Sequence, residues 1–167
     1  MRRILASLSI LIGLCGCIKE KRNGHEISVG DHIPDFEVMM SDGTIVTDAS
    51  LNGAVSIIMF FHTSCPDCRQ TLPVVQEIYD SYVEKGVKFV LISREQAKED
   101  IETFWAEKGL TMPYSPQTSR EVYSLFAQSR IPRIYISDRN CTVRTIFTDN
   151  PLPSFIDIDA ALNSIVE

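Results

Sequence analysis

Two cysteines separated by two residues, Cys65 and Cys68, are the feature of this sequence best suited to chemistry. Two thiols at this spacing can form and break a disulfide, and a thiolate can attack a disulfide in another molecule. The residues between them are Pro66 and Asp67. The motif predicts redox chemistry, with a structural disulfide or half of a metal site as the alternatives.

The sequence before the motif predicts how the two thiols are placed. Residues 54–61 form an apolar run typical of a strand buried on both faces, and a helix is predicted from residue 65 to about residue 84. A helix N-terminus favours an anion, because its N–H groups lack partners and carry partial positive charge. Cys65 is therefore expected to be the attacking thiolate, and Cys68, one turn further in, the thiol that resolves the mixed disulfide. The negative charge of Asp67 opposes the thiolate.

Two other residues could take part in chemistry. His62 could tune the thiol or bind a metal, but a packed or solvent-facing histidine at the end of a strand is the simpler interpretation. Cys141 follows a predicted turn and is most simply a small, partly buried side chain, with a third redox thiol as the alternative. The sequence has no second pair of cysteines at this two-residue spacing and no nearby histidine pair to complete a tetrahedral metal site. Neither a metal nor a cofactor is expected.

The first sixteen residues have the layout of a secretory signal peptide. Arg2 and Arg3 precede an apolar run, residues 4–14, which is shorter than the roughly 20 residues needed to cross a bilayer as a helix. Residues 14–17 then resemble a bacterial lipobox, in which the cysteine that follows the cleavage site becomes lipidated. Lipidation is therefore predicted at Cys17, with an ordinary cleaved signal peptide or an uncleaved anchor as the alternatives.

The length of 167 residues fits one domain beyond this leader. We predict a signal peptide at residues 1–16, a tether at residues 17–28 and one domain at residues 29–167. The predicted location is the cell envelope, lipid-anchored to a bacterial membrane and facing the periplasm, where dithiols and disulfides both persist. A net charge of −6 argues against a nucleic-acid-binding surface, which needs clustered Lys and Arg.

The remaining sequence alternates between strand and helix patterns. Strands are predicted at residues 35–39, 45–47, 54–61, 87–93, 133–137 and 142–147. Helices are predicted at residues 65–84, 120–128 and 154–166. A further helix should follow a capping box formed by Ser93 and Gln96, with Ile101, Phe104 and Trp105 on one face. This succession predicts an α/β sandwich with a mixed sheet.

The arrangement resembles the thioredoxin superfamily, specifically its TlpA-like and ResA-like branch of bacterial lipoproteins and membrane-anchored thioredoxins, across residues 29–166. Residues 30–36 are similar to the opening stretch of that branch, and residues 60–68 to its active-site strand and turn. Pro73 matches the proline that kinks the family's active-site helix. Ile131 and Pro132 match the family's cis-proline and the residue before it.

The resemblance implies a thioredoxin-like three-layer sandwich, in which helices flank a mixed central sheet, with an N-terminal hairpin and an inserted helix around residues 100–108. It implies a thiol-disulfide oxidoreductase whose Cys65 and Cys68 exchange electrons with extracytoplasmic protein substrates, and the reductase direction is expected. A substrate peptide would pair with the backbone of Ile131 beside Pro132. The implied partners are proteins with thiols or disulfides, cytochrome c maturation clients among them, and an upstream membrane redox donor.

The sequence departs from the family at two positions. Ser64 stands where the family usually has Trp, and Met59 stands where thioredoxin has a buried Asp that assists proton transfer. A peroxiredoxin-like peroxidase is one alternative function, but that family needs a Thr and a Pro where this chain has His62 and Ile58. A non-catalytic module that binds metal through its thiols is the other alternative.

Overall fold

The fold is described by a computed structural model for residues 26–166. The predicted signal peptide, the predicted lipid site Cys17 and most of the predicted tether lie outside these residues. At the start of the described chain Ile27 is buried, and its N–H donates to the carbonyl of Phe126 at 2.9 Å. The chain therefore contacts the core within the last residues of the range predicted as tether. The division into signal peptide, tether and domain stays a prediction.

Strands and helices alternate along the described residues. In chain order they are β1 (Glu37–Met39), β2 (Ile45–Thr47), α1 (Asp48–Leu51), β3 (Ser56–Phe61), α2 (Pro66–Tyr82), β4 (Lys88–Ser93), α3 (Lys98–Lys108), β5 (Tyr114–Ser115), α4 (Glu121–Phe126), β6 (Arg133–Ser137), β7 (Val143–Phe147) and α5 (Phe155–Val166). A 3₁₀ turn, Val83–Lys85, follows α2. Within residues 26–166 no helix is both long and apolar enough to span a bilayer.

β3 is the central strand of a five-stranded mixed sheet with the order β5-β4-β3-β6-β7. β4 runs parallel to β3 on one side, and β6 runs antiparallel to it on the other. All six residues of β3 are buried, as expected for a strand whose sheet is covered on both faces. β1 and β2 form the predicted antiparallel hairpin outside this sheet.

Aromatic contacts show how helices cover both faces of the sheet. Phe60 and Phe61 are neighbours on β3 and point to opposite faces. The ring of Phe60 packs against Tyr123 of α4 with centroids 5.3 Å apart, and Phe61 packs against Trp105 of α3 at 5.1 Å. The predicted thioredoxin-like sandwich is therefore confirmed, and α3 lies at the position predicted for the inserted helix.

The predicted capping box before α3 is wrong. The residue that precedes the helix is Ala97, which makes no side-chain hydrogen bond to the first turn. Ser93 and Gln96 are instead buried, with exposed fractions of 1% and 5%. The Ser93 hydroxyl donates to the carbonyl of Gln96 at 3.1 Å and accepts from the N–H of Gln117 at 2.7 Å. Both residues therefore face the interior, and neither caps the helix.

Candidate active site

Cys65 and Cys68 lie where β3 gives way to α2. Cys65 is the residue that precedes the helix, with an extended backbone, and Pro66 is the first helical residue. Proline suits this position, because its fixed φ matches the helix and the N–H that it lacks would have no helical partner. Cys65 is partly exposed, whereas Cys68, one turn further in, is fully buried. One thiol can thus meet another protein while the second cannot.

The predicted substrate side of the site lies against Cys65, the partly exposed thiol. The Cys65 Sγ is 3.6 Å from the carbonyl oxygen of Ile131 and donates to it. The peptide bond between Ile131 and Pro132 is cis, as the resemblance implies. The loop that precedes β6 therefore brings a backbone acceptor to the sulfur, although it lies 66 residues further along the chain.

Electrostatics distinguish the buried thiol. Burial raises the pKa of Cys68 far above its usual value, and the hydrogen bond and charge of Cys65 raise it further. A hydrogen bond from the backbone of His62 and the positive charge of Arg94 act in the opposite direction. The net result is that Cys68 holds its proton at neutral pH and becomes a nucleophile only when that proton is removed.

The turn between β3 and α2 is closed by His62. The N–H of Cys65 donates to the carbonyl of His62 at 3.0 Å. The His62 Nδ1 accepts from the N–H of Ser64 at 3.1 Å, and the Ser64 hydroxyl lies 2.9 Å from the same nitrogen. His62 thus binds the exposed Ser64 across the turn. The interpretation of His62 as a packed or solvent-facing residue missed this contact.

Thr63, in the same turn, is held by two residues that the sequence did not identify as part of the site. Its N–H donates to Gln96 Oε1 at 2.9 Å, and its hydroxyl accepts from Gln96 Nε2 at 2.5 Å. Its carbonyl accepts from Arg69 Nη1 at 3.2 Å. The Arg69 guanidinium also lies over the ring of Phe104, 4.8 Å from the centroid. Thr63 and Gln96 are 33 residues apart, so no local pattern could have found this contact.

A cavity of about 350 Å³ lies beside the turn, between the start of α2 and α3. Ser64 and His62 line one side of it, and Asp100 and Glu107 of α3 line the other. The aromatic wall that Trp would supply in the family is absent at Ser64. The surface next to Cys65 is therefore open and polar on this side.

Of three other residues that the sequence singled out, Met59 and Cys141 contribute no group to the thiol chemistry, whereas Asp67 lies between the two cysteines. Met59 is fully buried and cannot transfer a proton, and Asp67 lies in the first turn of α2. Cys141 is buried, and its Sγ donates to the carbonyl of Asp48 at 3.7 Å. It follows β6 at the end of the sheet opposite the motif, because Ser137 pairs with Ser56 at the start of β3. Within residues 26–166 no group of three or more His, Cys, Asp or Glu could hold a metal ion.

Sequence comparisons place this site among known proteins. A profile described as the AhpC/TSA family matches residues 29–146. The thiol-disulfide oxidoreductase ResA of Oceanobacillus iheyensis is 30% identical over 122 residues, which are 71% of this chain and 64% of that protein, slightly less than two thirds of its length. The protein of the same name from Bacillus cereus is 23% identical over 149 residues, which are 83% of each chain.

Solved structures show the same fold at lower identity. A thiol:disulfide interchange protein of the thioredoxin family from Chlorobium tepidum has a TM-score of 0.72 and 22% identity, and the match covers 84% of this chain and 99% of that one. StoA from Bacillus subtilis has a TM-score of 0.66 and 19% identity, with 77% and 96% covered. At these identities the structural likeness establishes the fold alone.

Proposed function

This chain belongs to the AhpC/TSA family, a family of thioredoxin-superfamily oxidoreductases, and we propose that it is a thiol-disulfide oxidoreductase that reduces disulfides in extracytoplasmic proteins. One observation carries the proposal: an accessible thiol, Cys65, lies at a helix start against Ile131 and the cis Pro132, with the buried thiol Cys68 behind it. Relatives named thiol-disulfide oxidoreductase support the same activity.

The first step of the proposed reaction joins the enzyme to its substrate. The Cys65 thiolate attacks one sulfur of a substrate disulfide, a bond forms between these two sulfurs, and the substrate S–S bond breaks. The other substrate sulfur leaves as a thiolate and takes up a proton. The substrate strand would pair with the backbone of Ile131, the residue whose carbonyl oxygen Cys65 contacts.

The second step releases the substrate. Cys68 gives up its proton and attacks the Cys65 sulfur, a Cys65–Cys68 disulfide forms, and the second substrate sulfur leaves as a thiolate and takes up a proton. The substrate has gained two electrons and the enzyme dithiol has lost two. Burial disfavours the Cys68 thiolate, so Cys68 stays protonated while Cys65 attacks the substrate. An upstream dithiol donor, which we place in the membrane, must then reduce the enzyme again.

The location and the clients belong to the same proposal. The signal-like residues 1–16 and the lipobox at Cys17 support a lipid anchor on the periplasmic side of a bacterial membrane. The resemblance to the ResA-like branch supports cytochrome c maturation clients as substrates. The reductase direction is supported by Asp67, whose charge works against a strongly stabilised thiolate.

Substrate trapping tests the exchange mechanism. Cys68→Ser removes the resolving thiol, so Cys65 should remain in a stable mixed disulfide whose partner can be identified by mass spectrometry. Cys65→Ser is the matched control and should trap nothing. The absence of any Cys65-dependent adduct would contradict the proposal. Redox titration tests the direction separately, because a potential near −120 mV, the oxidant extreme, would exclude a reductase.

A peroxidase and a thiol metal-binding module remain the alternatives. Peroxide consumption that survives Cys68→Ser but not Cys65→Ser would favour a peroxidase, since a peroxidatic thiolate needs no resolving partner for its first turnover. Purification with stoichiometric metal, together with failure to reduce any disulfide, would favour the metal-binding module.

A further inference from the structure

The active-site turn, residues 62–65, depends on hydrogen bonds for its position. Ser64 at its outer edge is exposed and offers no apolar side chain to pack against the core. Cys65 must nevertheless remain beside Ile131 on one side and Cys68 on the other, and an error of about 1 Å in such a geometry can cost a hundredfold in rate. Something outside the motif must hold the turn.

Gln96 makes two of these hydrogen bonds from a buried position. Its side-chain amide binds both the N–H and the hydroxyl of Thr63, in a pocket where the exposed fractions of Gln96 and Thr63 are 5% and 7%. Buried groups of this kind have no water to replace a lost partner. The position of the Thr63 backbone therefore depends on the Gln96 side chain.

Gln96 is itself fixed by the segment after β4. Its N–H donates to the carbonyl of Gln117 at 2.8 Å, and its carbonyl accepts from Ser93. The preceding residue, Glu95, has a φ of 59°, in the left-handed region that residues other than glycine seldom adopt. Such backbone conformations persist where the surroundings enforce them and are frequent near functional sites. Here the left-handed backbone conformation of Glu95 comes immediately before Gln96, the residue that contacts the active-site turn.

We propose that Gln96 is a positioning residue for the thiol exchange, which acts through Thr63 to hold Cys65 between the substrate side and Cys68. This inference rests on the proposed function and assigns it a residue outside the motif. Hydrogen bonds connect Gln117 and Ser93 to Gln96, and Gln96 to Thr63. Thr63 is two residues before Cys65, in the turn that the Cys65 N–H closes by donating to the carbonyl of His62.

Gln96→Met tests the proposal, because Met has a similar length and no hydrogen-bonding amide. We expect kcat for reduction of a test peptide disulfide to fall about tenfold with KM within twofold of wild type, since the loop at Ile131 and Pro132 is unchanged. Thr63→Ser retains both contacts and should keep kcat near wild type. Thr63→Val loses the hydroxyl contact and should lower kcat, but less than Gln96→Met does.

The double variant Gln96→Met with Thr63→Val separates a specific role from general damage. If Gln96 acts through Thr63, the double variant should be no slower than Gln96→Met alone, because coupled residues are not additive. Gln76→Met is the matched control: Gln76 on α2 accepts from the N–H groups of Thr111 and Met112, and its loss should reduce stability without changing kcat.

Three results would overturn the proposal. They are a kcat for Gln96→Met within twofold of wild type, equal losses in Gln96→Met and Gln76→Met, and additive losses in the double variant. If Gln96→Met does not fold, Thr63→Val carries the test, and an unchanged kcat in that variant also overturns it. Failure of the proposed function looks different, because Cys68→Ser would then trap no partner and wild-type protein would reduce no disulfide.

Discussion

Cys65 and Cys68 are one helical turn apart but differ in exposure, and this difference assigns their roles. The partly exposed thiol can meet a substrate, and the buried one can meet only its neighbour. The sequence predicted this order from the position of the motif at a helix start. The contacts of His62 with Ser64 and of Gln96 with Thr63 could not be predicted, because each depends on where a side chain points in the folded turn.

Cys68 also makes the stability of the reduced protein depend on pH. Burial keeps the pKa of its thiol above the usual value of 9.0, so above roughly pH 9 the unfolded chain releases a proton that the folded chain retains. The contribution of Cys68 to the free energy of unfolding is complete below this pH. Above it, the contribution falls by up to about 1.4 kcal/mol per pH unit. We expect the free energy of unfolding to fall between roughly pH 8.5 and 10, measured by urea denaturation in reductant.

Cys68→Ser provides the comparison for this measurement. Its free energy of unfolding should decline less steeply over the same range, because Ser has no proton to lose there. Tyr82 and Tyr135, whose pKa values burial raises to about 12, affect both proteins equally and mainly at higher pH. Equal slopes in the two proteins would contradict the assignment of this effect to Cys68.

At the scale of elements, α2 is fixed at its two ends by different contacts. Its start follows the active-site turn, and its end is joined to α5, where the Tyr82 hydroxyl donates to Asp159 Oδ1 at 2.6 Å. The sequence indicated both helices from their apolar spacing, and the structure agrees within two residues at each end. The contact between them is tertiary, since Tyr82 and Asp159 are 77 residues apart.

Tyr82→Phe should separate stability from catalysis. The ring of Tyr82 is buried and would stay in place, while loss of the hydroxyl removes its contacts with Asp159 Oδ1 and Asn163 Oδ1. The hydroxyl has one proton to donate, so the loss should cost about 1 kcal/mol. We expect the free energy of unfolding to fall by about that amount in urea denaturation. Thiol exchange should be unchanged, because Tyr82 lies roughly 24 Å along the helix from its start.

Tyr79→Phe is the control on the same helix. In the part of the chain that the structure describes, no hydrogen bond is made by the Tyr79 hydroxyl, and its ring packs against Phe89 with centroids 5.1 Å apart. Its removal should leave stability within about 0.5 kcal/mol of wild type. A loss in Tyr79→Phe as large as that in Tyr82→Phe would show that the hydrogen bond to α5 is not the cause.

At the scale of the whole molecule, one domain carries the site at one end of its sheet. β3 and β4 run parallel, so both end near the motif, and β6 begins there after Pro132. The segments that build the site are therefore neighbours in space although they are distant in sequence. Cys141 lies at the other end of the sheet, which separates it from the redox pair.

Because a lipid anchor is predicted at Cys17, we expect this protein to be located at the membrane. We expect wild-type protein expressed with its own leader to fractionate with membranes, and Cys17→Ser to be released into the soluble fraction. Detergent-phase partitioning and the mass of the N-terminal peptide measure this directly. Cys141→Ser should behave as wild type. Retention of Cys17→Ser in the membrane would indicate an uncleaved anchor instead.

The sequence by itself determined the α/β class, the bounds of the main strands and helices, and the pair of thiols. These follow from local causes: apolar periodicity selects strand or helix, and a dithiol at a helix start is a property of a few consecutive residues. Only the tertiary structure decided that Cys65 faces Ile131 and that Gln96 holds Thr63 rather than caps α3. A polar side chain that can cap a helix can equally bind a distant backbone, and packing determines which of the two partners it meets.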